Sequence, residues 1–320
     1  MPPKPGRPSQ RPSPRQVTRR RTVALAVLVL ALGGIGWAAV SAIGGGGSKH
    51  AATSADSSLI YSTETITTNG KTTRAVIAMP KPFRIVFPEG FTVKQMAARV
   101  AAVDRIAEAE RNVRPRLSKR GYLAVVRHAD GAPCFHRKLG GLEGFLFPAT
   151  YDFFTQTTSR QLVQQQLVSF CENWQRVDLS YAHSKNLTPY DVLIIASMVE
   201  KETLSPDERP LVAAVIYNRL HKRMPLGIDA TLRYGLDIPP TKSITESELG
   251  SSSPYNTRNR LGLPPSPIAN PGLASMQAAA HPARVDYLYF VRKPDKKHHF
   301  FTASFKAFQQ YEATHGYHPH

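Results

Sequence analysis

Cysteine is scarce in this chain: 320 residues carry two, Cys134 and Cys171. Two cysteines do not make a disulfide framework; they could pair, but Cys171 fits equally well on the inward face of a helix. Metal chemistry is poorly provided for, because His281, His298 and His299 lack ligand spacing with a carboxylate and no His-Glu-x-x-His occurs. No metal and no cofactor is therefore expected. Acidic residues are missing from the first 43 positions, where seven basic residues (Lys4, Arg7, Arg11, Arg15, Arg19, Arg20 and Arg21) stand among six prolines. Such a segment cannot bury a core, so residues 1–22 are expected to form a disordered basic tail. From Val23 to Ile43 charge of either sign is absent for 21 residues. That run has the length of a membrane-spanning helix, about 20 residues, and its basic flank puts the N-terminus in the cytoplasm. A cleaved signal peptide, cut after Val40-Ser41-Ala42, is the competing reading, but signal cores run to only about 15 residues. The expectation is a single-pass anchor in a bacterial inner membrane, with everything after the Gly44–Gly47 hinge outside the cytoplasm.

What remains is basic. Setting aside the seven tail cations leaves 34 Lys and Arg against 23 Asp and Glu. A polyanionic partner would suit that excess, and outside a membrane a carboxylate-bearing cell wall is a better candidate than nucleic acid. A simpler purpose for single-sign charge is solubility.

The pattern along the chain is α+β. Residues 44–80 read as a Ser- and Thr-rich linker ending in a short strand, Arg74–Met79. Phe83–Phe87 is strand-like, and Pro88-Glu89-Gly90 is a turn. Thr92 and Gln95 form a capping pair before a helix whose inward face is Val93, Met96, Ala97, Val100 and Val103. This small module is expected to occupy 81–139. A mainly helical unit follows over 140–320, with short strands and a loop-rich cleft. Its first helix turns Leu162, Val163, Leu167, Phe170, Cys171 and Trp174 inward. Its second opens with Thr188-Pro189-Tyr190-Asp191, an N-cap with proline at the first position and a carboxylate at the third. Ser205–Glu208 reads as another capping pair. Met224–Pro271 is rich in proline and glycine and too long to be mere connection. Tyr287–Val291 reads as a strand, with Phe300-Phe301 in another.

Between Val192 and Val199 the only polar side chain is Ser197, so the second helix is expected to be buried all round. Glu200 extends its apolar stripe, counting back to Ser197, Ala196, Leu193 and Val192, near the negative end of the helix dipole. Desolvation and dipole would both favour its protonated form, as a general acid requires. Glu202, about 200° further round, is expected at the surface or behind a substrate-contacting group. A lone Glu at a helix end more often points to solvent. Three further clusters could position a sugar: Tyr217-Asn218-Arg219, Ile228-Asp229-Ala230-Thr231, and Ser253–Thr257 leading to Leu263–Gly272.

Taken together and in order, these segments resemble the endolytic murein transglycosylase (MltG, YceG-like) family. The resemblance runs over roughly residues 80–310. It rests on Glu200-Lys201-Glu202-Thr203, Tyr217-Asn218-Arg219-Leu220, Ser253–Thr257 and Leu263–Gly272. Ala278–Pro282 before Tyr287–Val291, the opening Leu142–Tyr151 and the Val86–Gly90 turn match as well. The resemblance implies a LysM-like subdomain ahead of the catalytic unit, and an inner-membrane anchor. The implied reaction is a lyase reaction that cuts nascent glycan strands between MurNAc and GlcNAc to leave 1,6-anhydroMurNAc ends. Glu200 would be its catalytic acid, with Asn218, Asp229, Tyr255, Asn256 and Thr257 positioning sugar and Glu143 supporting them. Peptidoglycan strands would be the substrate and peptidoglycan synthases natural companions, though the sequence names none. Three positions depart from the family pattern: Ala230 where proline is usual, Arg258 where an aromatic often stands, and Ser266 where glycine is frequent. Two other readings stay open: a muramidase using Asp229 or Glu143 as second carboxylate, and a non-catalytic wall-binding scaffold.

Overall fold

The computed structural model describes residues 59–68, 71–135 and 140–316. The basic tail and the span expected at 23–43 lie outside the described residues. No helix among the described residues is long and apolar enough to cross a membrane.

Strands β1 (Leu59–Thr68) and β2 (Lys71–Pro80) pair antiparallel, from Leu59 opposite Pro80 to Thr68 opposite Lys71. The sequence reading expected a linker with one short strand here. It passed over Asn69-Gly70 between two β-branched runs, a strong short-range hairpin signal.

β3 (Phe83–Val86) is followed by α1 (Val93–Arg111) and α2 (Lys119–Arg127), then by β4 (Thr150–Phe153). The Thr92–Gln95 capping box forms as expected, each side chain accepting from the other residue's backbone N–H. β3 pairs antiparallel with β4, Phe83 opposite Phe153 and Val86 opposite Thr150, and those two phenylalanines stack at 5.3 Å. The pairing joins the segment before α1 to the segment ahead of α3 in one antiparallel ribbon. A four-residue strand needs a backbone partner, and that partner sits within the stretch assigned to the following unit.

The helical part begins with α3 (Ser159–Trp174) and the short α4 (Ser180–Ser184). Leu162, Val163, Phe170 and Trp174 of α3 are buried. Cys171 is bonded to Cys134, with Cα atoms 5.6 Å apart, so the two cysteines tie α3 to the segment after α2. α5 (Pro189–Glu202) starts as expected: Thr188 Oγ1 accepts from Asp191 N, and the Asp191 carboxylate accepts from Thr188 N. All eight residues from Val192 to Val199 are buried. Burying a side chain such as Leu193 or Ile195 contributes about 2 kcal/mol each, which makes this helix the axis of the core. Its one polar member is satisfied, since Ser197 Oγ donates to Ile194 O and accepts from Ile268 N.

A 3₁₀ turn (Pro206–Glu208) leads into α6 (Arg209–His221). The capping pair expected at Ser205–Glu208 does not form. Glu208 turns away to accept from His299 N (2.8 Å) and pair with His299 Nδ1 (2.7 Å). The long segment expected to be loop-rich contains two helices, α7 (Asp229–Leu236) and α8 (Glu246–Leu249). α9 (Leu273–Ala280) then packs along α5. β5 (Tyr289–Arg292) and β6 (His299–Thr302) form a final antiparallel ribbon, on which α10 (Phe305–Thr314) lies.

Candidate active site

A cleft of about 1900 Å³ opens where α1, α5, α7 and the β5–β6 ribbon converge. Small-molecule pockets usually measure about 300–1000 Å³, so this one has room for a polymer. Glu143, Glu202 and Glu312 line it, and the placement of the first two follows from the elements around them.

Glu143 lies on the chain just ahead of Phe145-Leu146-Phe147 and is half-buried beneath the N-terminus of α1. Both of its oxygens accept from Val93 N at 3.1 Å. Oε2 also accepts from the Tyr234 hydroxyl at 3.2 Å, and Oε1 from Asn270 Nδ2 at 2.9 Å. These donors favour the charged form, yet loss of solvent outweighs them and pushes Glu143 up to about 7. Asn270 is fully buried and joins three segments at once. Besides holding Glu143, its Nδ2 donates to Phe91 O, its Oδ1 accepts from Leu146 N, and its own backbone N–H bonds Phe91 O. Next to Glu143, Gly144 has φ +90°, and a Cβ there would meet Pro267 Cγ at 2.6 Å. Gly144→Ala is expected to lower stability by about 2 kcal/mol or more, read as a lowered urea midpoint with an unchanged slope.

Glu202 ends α5 and is also half-buried. Burial pushes it up to about 7, and the Asp229 carboxylate adds to the shift. Arg292, a backbone hydrogen bond from Ala230 and Lys201 oppose it. Ala230 is the second residue of α7, so the positive end of that helix is aimed at Glu202. Asp229, half-exposed, is paired with Arg258, whose Nη2 donates to Oδ1 at 2.6 Å and Nε at 3.2 Å.

Glu200 sits differently. Its side chain is only 6 % exposed. Oε2 accepts from Gly272 N at 3.0 Å, and Arg209 Nη2 lies 3.9 Å from Oε1. The same guanidinium is 3.8 Å from Glu89, a residue of the turn before α1. Burial and the neighbouring Glu200 charge raise Glu89, against the pull of Arg209. Gly272 lies so close to Glu89 that a Cβ there would overlap its carboxylate. Lys201 Nζ donates to Gly90 O at 3.3 Å, and Gly90 N to Asn270 O at 2.9 Å. Glu200 thus belongs to a clasp that joins the Pro88–Gly90 turn to the α5 end. Glu202, expected at the surface or behind a substrate-contacting group, lines the cleft.

The other expected site residues divide. Glu143 and Asp229 line the cleft. Tyr255 stands behind it: its ring packs edge-on against Tyr234 at 5.1 Å, and its hydroxyl is 2.7 Å from Ser266 Oγ. Asn218, Asn256 and Thr257 are each hydrogen-bonded within the fold. Asn218 Nδ2 donates to Val285 O and Tyr287 O, both at 2.9 Å. Asn256, fully buried, donates to Leu249 O and Ser251 O. Thr257 Oγ1 accepts from Ile228 N and bonds Thr231 Oγ1. These three shape the cleft by fixing loops, a role that short polar residues in proline-rich segments take more often than ligand contact. Sequence reasoning missed Glu202, Arg209, Tyr234, Asn270 and Arg292. Asn270 stood inside the recognised Leu263–Gly272 run, and Arg209 carried no signal of its own.

The YceG-like family profile matches residues 56–314. The chain belongs to the YceG-like family. An endolytic murein transglycosylase of Bacillus subtilis is 32% identical over 216 residues, which cover 66% of this chain and 59% of the relative. One from Streptococcus pneumoniae is 37% identical over 157 residues, covering 47% of this chain and 28% of its own length. The chain thus spans little more than half of the first relative and under a third of the second. Among solved structures, a yceG-like protein of Listeria monocytogenes superimposes with a TM-score of 0.60 at 28% identity. That match covers 71% of this chain and 75% of the Listeria chain.

Proposed function

We propose that this YceG-like chain is an endolytic lytic transglycosylase, a lyase that cleaves peptidoglycan strands between MurNAc and GlcNAc, with Glu202 as its acid and base. The observation that carries the reading is Glu202 itself. It is a carboxyl group facing a polymer-sized cleft and held near pH 7 by burial, whereas Glu200 is bonded inside the clasp. Protonated Glu202 gives its proton to the glycosidic oxygen as the bond from C1 of MurNAc breaks. The C6 hydroxyl of the same sugar attacks C1, and its proton passes to the Glu202 carboxylate, which regenerates the acid. Intramolecular attack takes the place of water and of a second carboxylate. The product carries a 1,6-anhydroMurNAc end.

A muramidase would need Glu143 to act as base or nucleophile. Both Glu143 oxygens already accept hydrogen bonds from Val93, Tyr234 and Asn270, which favours a positioning role at the α1 N-terminus. Asp229 is likewise engaged by Arg258. For a membrane-anchored scaffold without activity, the raised cleft carboxyls would have no purpose. Anchoring through Val23–Ile43, with the remainder outside the cytoplasm beside peptidoglycan synthases, is part of the proposal; the Cys134–Cys171 bridge supports an oxidising compartment.

Mass spectrometry of the fragments that the protein releases from purified cell-wall glycan tests the reading. Anhydro-ended products are expected. Reducing ends would move the assignment to a muramidase, and no release by folded, wall-binding protein would favour the scaffold.

A further inference from the structure

The face of α10 that meets the cleft is continuous. Phe305, Phe308, Gln309, Glu312, Ala313 and Gly316 all line it. Their spacing of three, four, seven, eight and eleven residues is a single stripe along a helix and its C-terminal cap. Aromatic rings occupy its first turn and polar side chains the turns beyond. Phe305 and Phe308 each lie 5.4 Å from the Tyr289 ring, and over that ring the Arg219 guanidinium sits at 5.4 Å. Phe305 is 52% exposed, and no residue of α10 is fully buried. An apolar stripe serving only to dock α10 on its ribbon would be covered. This one is left open towards the cleft.

Resting on the proposed function, we infer that Tyr289, Phe305 and Phe308 form a stacking platform for a sugar ring of the glycan strand, away from the bond being cut. Pyranose rings present C–H groups on their faces and hydroxyls at their edges. An aromatic platform with Gln309 and Glu312 one turn on suits both parts, and it continues the cleft that holds Glu202. Tyr289 and Arg292 are separated by three residues of β5, about 10 Å. Tyr289, Arg292 and Glu202 all line the same cleft, so the platform and the acid address one bound strand. A stem peptide would be served better by a free strand edge, which this helix does not offer.

Binding to the full chain carrying Glu202→Gln, which removes turnover, tests the inference. The probes are chitobiose, chitohexaose and long glycan strands with and without stem peptides. Phe305→Ala is expected to weaken chitohexaose and peptide-free strands roughly fivefold and to leave chitobiose unchanged. Phe305→Trp should restore the affinity. The melting temperature should not move, since Phe305 supports no core. Equal affinity for chitohexaose with and without the ring overturns the platform, as does a loss that Trp does not restore. A loss confined to peptide-bearing strands also overturns it, because the ring would then be reading peptide. A Glu202→Gln chain that binds no glycan of any length overturns the transglycosylase reading as well, and so separates the two failures.

Discussion

Glu202→Gln is expected to remove at least two to four orders of magnitude of strand cleavage, the usual worth of a positioned general acid. Glu200→Gln should keep most of it. The variants stand two residues apart on one helix, so they share any general effect of removing a carboxylate from the α5 end. In Glu200→Gln the amide oxygen still accepts from Gly272 N, and what is lost is the long contact with Arg209. A modest drop in melting temperature with retained turnover is the expected outcome. The pH profile gives a second check. Glu202 must be protonated to act, and burial places it at about 7, so kcat/KM should fall as pH rises through that value. In Asp229→Asn the neighbouring negative charge is gone, and the fall should move to lower pH. If Glu200→Gln were the inactive variant and Glu202→Gln the active one, the assignment would be reversed.

Replacing both cysteines, Cys134→Ser with Cys171→Ser, should cost about 4 kcal/mol. The bridge closes a loop of 37 residues, and cross-linking a loop of that length removes about that much chain entropy from the unfolded state. In a unit of this size the melting temperature should fall by something on the order of 10 °C. The loop contains Leu142 to Phe153, including Glu143 and β4, so the reduced protein should also lose protection from amide exchange there before α5 opens. Identical melting of the oxidised and doubly substituted proteins would show that the bridge constrains nothing. Reduction of the wild type by thiols should reproduce the substitution.

Much of the fold was legible locally. The α1 and α5 capping boxes, the inward face of α3 and the buried Val192–Val199 run of α5 each follow from short-range chemistry, and each forms where the residues indicate. The β1–β2 hairpin was legible but passed over. Helices α7 and α8 are hidden among prolines, and the β3–β4 pairing is not readable locally because β3 finds its partner 64 residues away from its own end. Nothing in either four-residue strand specifies the other.

The sequence alone determined a buried central helix ending in two glutamates, a proline-stiffened segment to face it, and membership of a family. It does not separate the surroundings of the two glutamates. Periodicity ranks positions only when one side of a helix is wet, and α5 is buried on every side up to Val199. The last turn is therefore read by its neighbours: Gly272 and Arg209 close around Glu200, while Ala230 and Asp229 leave Glu202 facing the cleft. Those neighbours come from α6, α7 and the start of α9, between nine and 72 residues further along the chain. Tertiary structure separates the two glutamates because desolvation and charge act through space, and space at a helix end is allotted by whatever packs there.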